Sequence, residues 1–140
     1  MTSRTLAAYG SIALGILLII GSIGTWVLVS NTLAEQNITT PEDACLANRQ
    51  VAGPFTAYCQ AEIIQKHALE STGGLTYAEL DREDPLRDVA MDASFLQASL
   101  FTSVLAFGVA AMALGMGVIF VLIGLGMRDV KEQIEVVRQR

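Results

Sequence analysis

Cys45, Cys59, His67 and Glu70 are the side chains with the most obvious chemical potential in this sequence, and they fall within one short stretch. Cys59, His67 and Glu70 suggest metal ligands on one helix. Zinc, however, takes three or four protein ligands, and an oxidised Cys59 would leave two. Glu70 stands three residues after His67, a spacing at which helix neighbours meet, so a local ion pair or hydrogen bond between them is expected instead. Ser71-Thr72-Gly73-Gly74 lacks the lysine of a phosphate-binding loop. Asn37-Ile38-Thr39 matches the glycosylation sequon, a pattern short enough to arise by chance. These residues lead to no catalytic, cofactor-binding or metal site.

The cysteines are better read as structure. They are the only two, and the topology argued below places both outside the cytoplasm, where disulfides persist. A Cys45–Cys59 bridge closing a ring of about 15 residues would stabilise a small loop by about 3 kcal/mol. The alternative is a pair of buried free thiols.

The elements that must position these residues are set by hydropathy. Leu6–Val29 and Ala93–Met127 contain no charged residue. A helix crossing about 30 Å of hydrocarbon needs roughly 20 apolar residues, so both blocks are long enough to span a membrane. A cleaved signal peptide is the rival reading of the first, but its run exceeds the roughly 7–15 residues of a signal core. It is expected to remain as an anchor.

Orientation follows the lysines and arginines near the spans. Arg4 lies at one end, and Arg128, Lys131, Arg138 and Arg140 lie at the other. Between the spans, four basic residues against eleven acidic ones leave the segment at −7. Both termini are therefore expected in the cytoplasm. An acidic exterior loop excludes nucleic acid, whose phosphates require clustered cations. The expected fold is an all-α membrane protein, a two-helix transmembrane hairpin with a small helical extracytoplasmic loop domain. Its segments are a cytoplasmic 1–5, a first span over 6–30, a loop over 31–93, a second span over 94–127 and a cytoplasmic amphipathic tail over 128–140. In the tail, Val130, Ile134 and Val137 form an apolar stripe, with Lys131, Arg138 and Arg140 available for lipid headgroups.

Capping signals divide the loop. Thr40 reads as an N-cap followed by Pro41, Glu42 and Asp43, opening a helix that ends near Gly53. A second helix starts at Pro54 and stops at Gly73-Gly74. Thr76 and Glu79 have capping-box spacing. Asp84-Pro85 then opens a helix expected to run unbroken into the second span. Nothing in the loop suggests strands.

Small residues mark the faces of the spans. Ala8, Ser11, Gly15, Ser22 and Thr25 recur at helical spacing in the first, and Ser99, Ser103, Ala106, Ala110, Ala113, Gly117 and Gly124 in the second. Small residues let helix backbones approach in lipid, so Ser11, Gly15, Ser22, Ser103, Ala106, Ala110 and Gly117 are the expected helix-packing positions. Gly10, Gly21 and Gly24 lie on another face of the first span, and Gly108, Ala111 and Gly115 on another face of the second. The latter three form a candidate partner face. Neither span holds an ionisable residue, which argues against a pump, transporter or redox carrier. One histidine cannot ligate haem in pairs.

The runs Gly53-Pro54-Phe55-Thr56-Ala57-Tyr58, Lys66-His67-Ala68-Leu69-Glu70, Thr76-Tyr77-Ala78-Glu79-Leu80-Asp81-Arg82-Glu83-Asp84-Pro85 and Ala93-Ser94-Phe95-Leu96 carry a resemblance. The chain resembles, over nearly its whole length, a family of small actinobacterial membrane proteins often labelled "aromatic ring-opening dioxygenase, LigA". The resemblance implies an actinobacterial plasma membrane and a two-span hairpin. The label implies non-haem iron, which wants two histidines and a carboxylate, and this chain has a single histidine. The label is therefore treated as a misannotation.

The sequence thus points to a non-enzymatic integral membrane protein, an accessory or assembly subunit of a larger plasma-membrane complex. Its expected partners are the lipid bilayer and other integral membrane subunits or itself, with no small-molecule substrate. The alternative is a homo-oligomeric envelope scaffold. An enzyme subunit with a shared active site is the weakest reading.

Overall fold

The computed structural model describes residues 3–138, with side chains through Arg128. The described residues form three helices: α1 (Ser3–Glu35), α2 (Pro54–Ser71) and α3 (Leu86–Arg138). No strand occurs among them beyond an isolated bridge between Thr39 and Gln50. The regular structure of the described residues is all helical. α1 and α3 are each long and apolar enough to cross a membrane, and only 11% and 17% of their most apolar windows is buried. The core helix of a soluble domain would bury most of such a window.

Local chemistry explains the helix ends. α1 runs on to Glu35 and closes with Asn37 at φ 52°, a left-handed conformation that asparagine tolerates. α2 opens at Pro54, where the missing N–H has no intrahelical partner to lose. The Thr56 hydroxyl accepts from the backbone N–H groups of Ala52 and Gly53, both at 3.2 Å. The helix stops at Gly73 and Gly74, both at positive φ, where the Gly74 N–H donates to the Leu69 carbonyl. α3 opens behind Pro85, with the Asp84 carboxylate accepting from the Leu86 N–H at 2.8 Å. It then continues without a break past Met127. The tail residues Val130, Ile134, Val137, Lys131 and Arg138 lie beyond the described side chains, and Arg140 beyond the described residues.

The chain divides into two compact units, one made of residues through Trp26 with those from Val109 onward, the other of Val27–Gly108. In the first, α1 and α3 meet through glycine. A Cβ on Gly15 would lie 2.6 Å from the Gly117 carbonyl oxygen, and one on Gly124 would lie 2.7 Å from that of Ala8. The pairs run in opposite senses along the two helices, which are therefore antiparallel here. Ser11 Oγ donates to the Phe120 carbonyl at 2.7 Å. Arg128 stands over the Tyr9 ring at 5.6 Å.

The second unit has a conventional core of Leu33, Val51, Ala57, Ala61, Leu100 and Phe107, flanked by Val29, Ile38, Ile64 and Val104. The helix expected from Thr40 to Gly53 is absent. Residues 36–53 form a folded loop instead, with the buried Thr40 as its hub. The Thr40 hydroxyl donates to the Leu46 carbonyl and accepts from the Arg49 N–H. The backbone bonds Thr40 N–H to Arg49 and Val51 N–H to Ile38 lace the two sides together. Thr40 thus bridges its loop rather than capping a helix, and Asn48 at φ 55° lies outside the right-handed helical region. Further on, the Glu79 carboxylate accepts from the Thr76 N–H and hydroxyl. Arg87 covers the Tyr77 ring at 4.1 Å and donates to the Leu80 carbonyl, which fixes this turn to the start of α3.

Candidate functional site

α2 carries the chemistry of the second unit. Cys59, buried on its inner face, is disulfide-bonded to Cys45 of the 36–53 loop, with a Cα–Cα distance of 5.4 Å. Two turns later the exposed face of α2 presents Lys66 and His67. Both reach Asp43 of the same loop: Lys66 Nζ lies 3.2 Å and His67 Nε2 2.9 Å from Asp43 Oδ2. Hydrogen bonds from His67 first and Lys66 second hold the Asp43 carboxyl below the usual carboxylate range. Bridge and ion pairs therefore clasp one loop to one helix from two points.

This clasp corrects the sequence reading of His67. Its partner is Asp43, 24 residues away, whereas Glu70 lies 4.0 Å from Lys66. Among the described residues no three of histidine, cysteine, aspartate and glutamate converge as a metal site would require. A hollow of about 60 Å³ between α2 and the start of α3 is lined by Gln65, Leu69, Tyr77, Ala93 and Gln97. Ligand pockets span about 300–1,000 Å³, so this hollow has room for a water or two. A wider, open depression of about 370 Å³ lies at the clasp, lined by Asp43, Cys45, Cys59, Glu62 and Lys66. The interactions the clasp itself makes fix a loop by a covalent bond and exposed charges.

The expected helix-packing residues divide between the units. Ser11, Gly15, Ser22, Ala110 and Gly117 belong to the first. Gly15 and Gly117 touch backbone to backbone, Ser11 donates across to α3, and Ala110 is buried. Ser22 is buried too, but its hydroxyl bonds its own helix at the Ile19 carbonyl. Ser103 and Ala106, in the second unit, are half-buried, and the Ser103 hydroxyl returns to Ser99 on its own helix. Thr25 and Ser99, which continue the small-residue spacing, are exposed. Sequence reasoning did not rank Gly124 and Ala8 among the packing positions, although both lay on the stripes it traced. Their backbones are in the same close contact as Gly15 and Gly117.

The other set of small residues is placed differently. Gly108, Ala111 and Gly115 are exposed. A Cβ added at Gly10, Gly21, Gly24, Gly108 or Gly115 would meet nothing within 4 Å. Six glycines of the long helices, counting Gly126, thus stand in open space, while Gly15, Gly117 and Gly124 are closed by contact.

Compared with known proteins, the chain matches no family model, no curated protein and no solved structure.

Proposed function

We propose that this chain is a two-span plasma-membrane protein with both ends in the cytoplasm and residues 31–93 outside, acting as a non-enzymatic accessory or assembly subunit of a larger membrane complex. The observation that carries the reading is apolar surface left without cover. The charge-free block of α3, Ala93–Met127, would measure about 52 Å as a helix, against about 30 Å of hydrocarbon. Part of it must stand outside the bilayer, and Phe95 and Leu96 there are exposed. The open glycines along α1 and α3 supply close-approach positions of the kind that membrane helices use to associate. Large apolar surface outside a membrane marks a protein contact.

The charge pattern supports the orientation, and the Cys45–Cys59 bridge suits an oxidising exterior. The resemblance to the actinobacterial family fits the two-span reading, and the single histidine argues against the iron chemistry in that family's label. Mild extraction followed by native mass measurement tests the reading. Other polypeptides in fixed ratio support it, and assemblies of this chain alone would favour the homo-oligomeric scaffold.

A further inference from the structure

We infer that the first turns of α2 form an interfacial anchor, with Phe55 seated at the boundary between headgroups and acyl chains of the outer leaflet. The inference rests on the two-span reading above and adds a lipid-binding surface to it. Residues 50–61 contain no charge, although Arg49 and Glu62 flank them and the loop as a whole carries fifteen charged residues. Ser30 Oγ donates to the Ala52 carbonyl, which holds the start of α2 beside the last part of the charge-free stretch 5–34 of α1. Tyr58 meets Phe101 of α3 edge-on, with ring centroids 6.0 Å apart. Phe101 itself belongs to the charge-free block of α3. The beginning of α2 is thus placed where apolar surfaces of both long helices emerge.

At that level Phe55 is 77% exposed, although a phenylalanine side chain is stabilised by leaving water. Leu28 and Leu105, on the α1 and α3 segments of the same unit, are also exposed. Tyr58 has the orientation of an interfacial aromatic, its ring on Phe101 and its hydroxyl donating at 2.9 Å to Glu62, one turn farther along α2. The contacts of the start of α2 with the apolar stretches of α1 and α3 and the missing charges of residues 50–61 favour lipid as the occupant.

The test uses tryptophan, of which the chain has one, Trp26. The full chain carrying Trp26→Phe and Phe55→Trp is reconstituted in phosphatidylcholine–phosphatidylglycerol vesicles whose acyl chains are brominated near the headgroup or near the bilayer centre. The parent chain in the same vesicles reports, through Trp26, whether α1 is inserted. Tryptophan at 55 should emit blue-shifted and lose most of its intensity to shallow bromine, little to deep bromine and little to iodide in solution. Water-like emission quenched by iodide, with Trp26 still quenched by bromine, overturns the anchor and leaves the two-span reading intact. Blue-shifted emission untouched by bromine would mean that protein, such as a second copy, covers Phe55, and overturns lipid as the occupant. Failure of Trp26 itself to be quenched would overturn both readings. Should Trp26→Phe insert poorly, the difference between the parent and the two-tryptophan Phe55→Trp chain reads the same quantity.

Discussion

Gly15 and Gly117 meet backbone to backbone. A Cβ on Gly15 would lie 2.6 Å from the Gly117 carbonyl oxygen, and one on Gly117 2.8 Å from that of Gly15. The obstructing atoms are backbone, which cannot rotate away as the end of a side chain can. Gly15→Leu and Gly117→Leu should each destabilise the α1–α3 pair by about 1–3 kcal/mol or more. Gly21→Leu, where the added side chain meets open space, should cost no more than a few tenths of that range. Thermal or denaturant unfolding in detergent micelles reads the difference. Equal sensitivity at Gly15 and Gly21 would contradict the contact.

The topology is checked by single cysteines introduced at Ser3, Thr76 and Gln139. An impermeant thiol reagent on intact cells should label Thr76→Cys alone, while Ser3→Cys and Gln139→Cys react only after permeabilisation. Labelling of either end on intact cells would reverse the orientation.

The bridge between Cys45 and Cys59 should appear in non-reducing mass analysis as one linked pair of peptides, lighter by two hydrogens than the reduced pair. Cys45→Ser with Cys59→Ser should cost about 3 kcal/mol, the chain-entropy value for a ring of about 15 residues. The loss should be read by hydrogen exchange in residues 36–71, with exchange in the apolar stretches of α1 and α3 unchanged. Recovery of both cysteines as alkylated thiols without reduction would remove the claim.

Much of this architecture was legible because its causes are local. The two apolar runs, Pro54, Gly73-Gly74 and Asp84-Pro85 each act on the residues beside them, and α2 begins and ends, and α3 begins, where those residues dictate. The 36–53 loop was not legible because Thr40-Pro41-Glu42-Asp43 is a valid helix start whose threonine is claimed by Leu46 and Arg49 across a loop. His67 was misassigned for a related reason. Its true partner, Asp43, is brought to it by the folding back of a loop that a helix reading had straightened. The small-residue stripes were followed too far at Thr25 and Ser99, both exposed. In the second unit the core joins Leu33, Leu100 and Phe107 to the small Ala57 and Ala61 of α2, and Ser99 has no place in it.

Acid should loosen the clasp with a defined sign. The folded Asp43 carboxyl sits below its ordinary range because His67 and Lys66 bond it. Its stabilisation is therefore complete above the ordinary value of about 3.9 and is lost as pH falls through the lower folded value. Glu79, held low by the Thr76 N–H and hydroxyl, shows the same sign but acts on the 76–79 turn rather than on the clasp. Asp43→Asn should weaken the loop at neutral pH and make its acid loss shallower. Hydrogen exchange in residues 36–53, followed from neutral pH to below about pH 4, checks this. Identical acid profiles for the parent and Asp43→Asn would contradict it.

The central claim is that the open faces of the long helices belong to other subunits, and paired substitutions on the two faces of α3 test it most directly. Ala111→Ile and Gly115→Leu enlarge exposed positions, remain fully apolar and should leave insertion intact. Ala110→Ile enlarges a buried position and should lower the abundance of the protein itself. Each variant is extracted from native membranes, and the mass of its complex is compared with that of the parent. The account predicts a split: Ala111→Ile and Gly115→Leu lose companion polypeptides at unchanged abundance, while Ala110→Ile loses abundance. Companions retained in full by both exposed-face variants, or a parent complex containing only this chain, would contradict it.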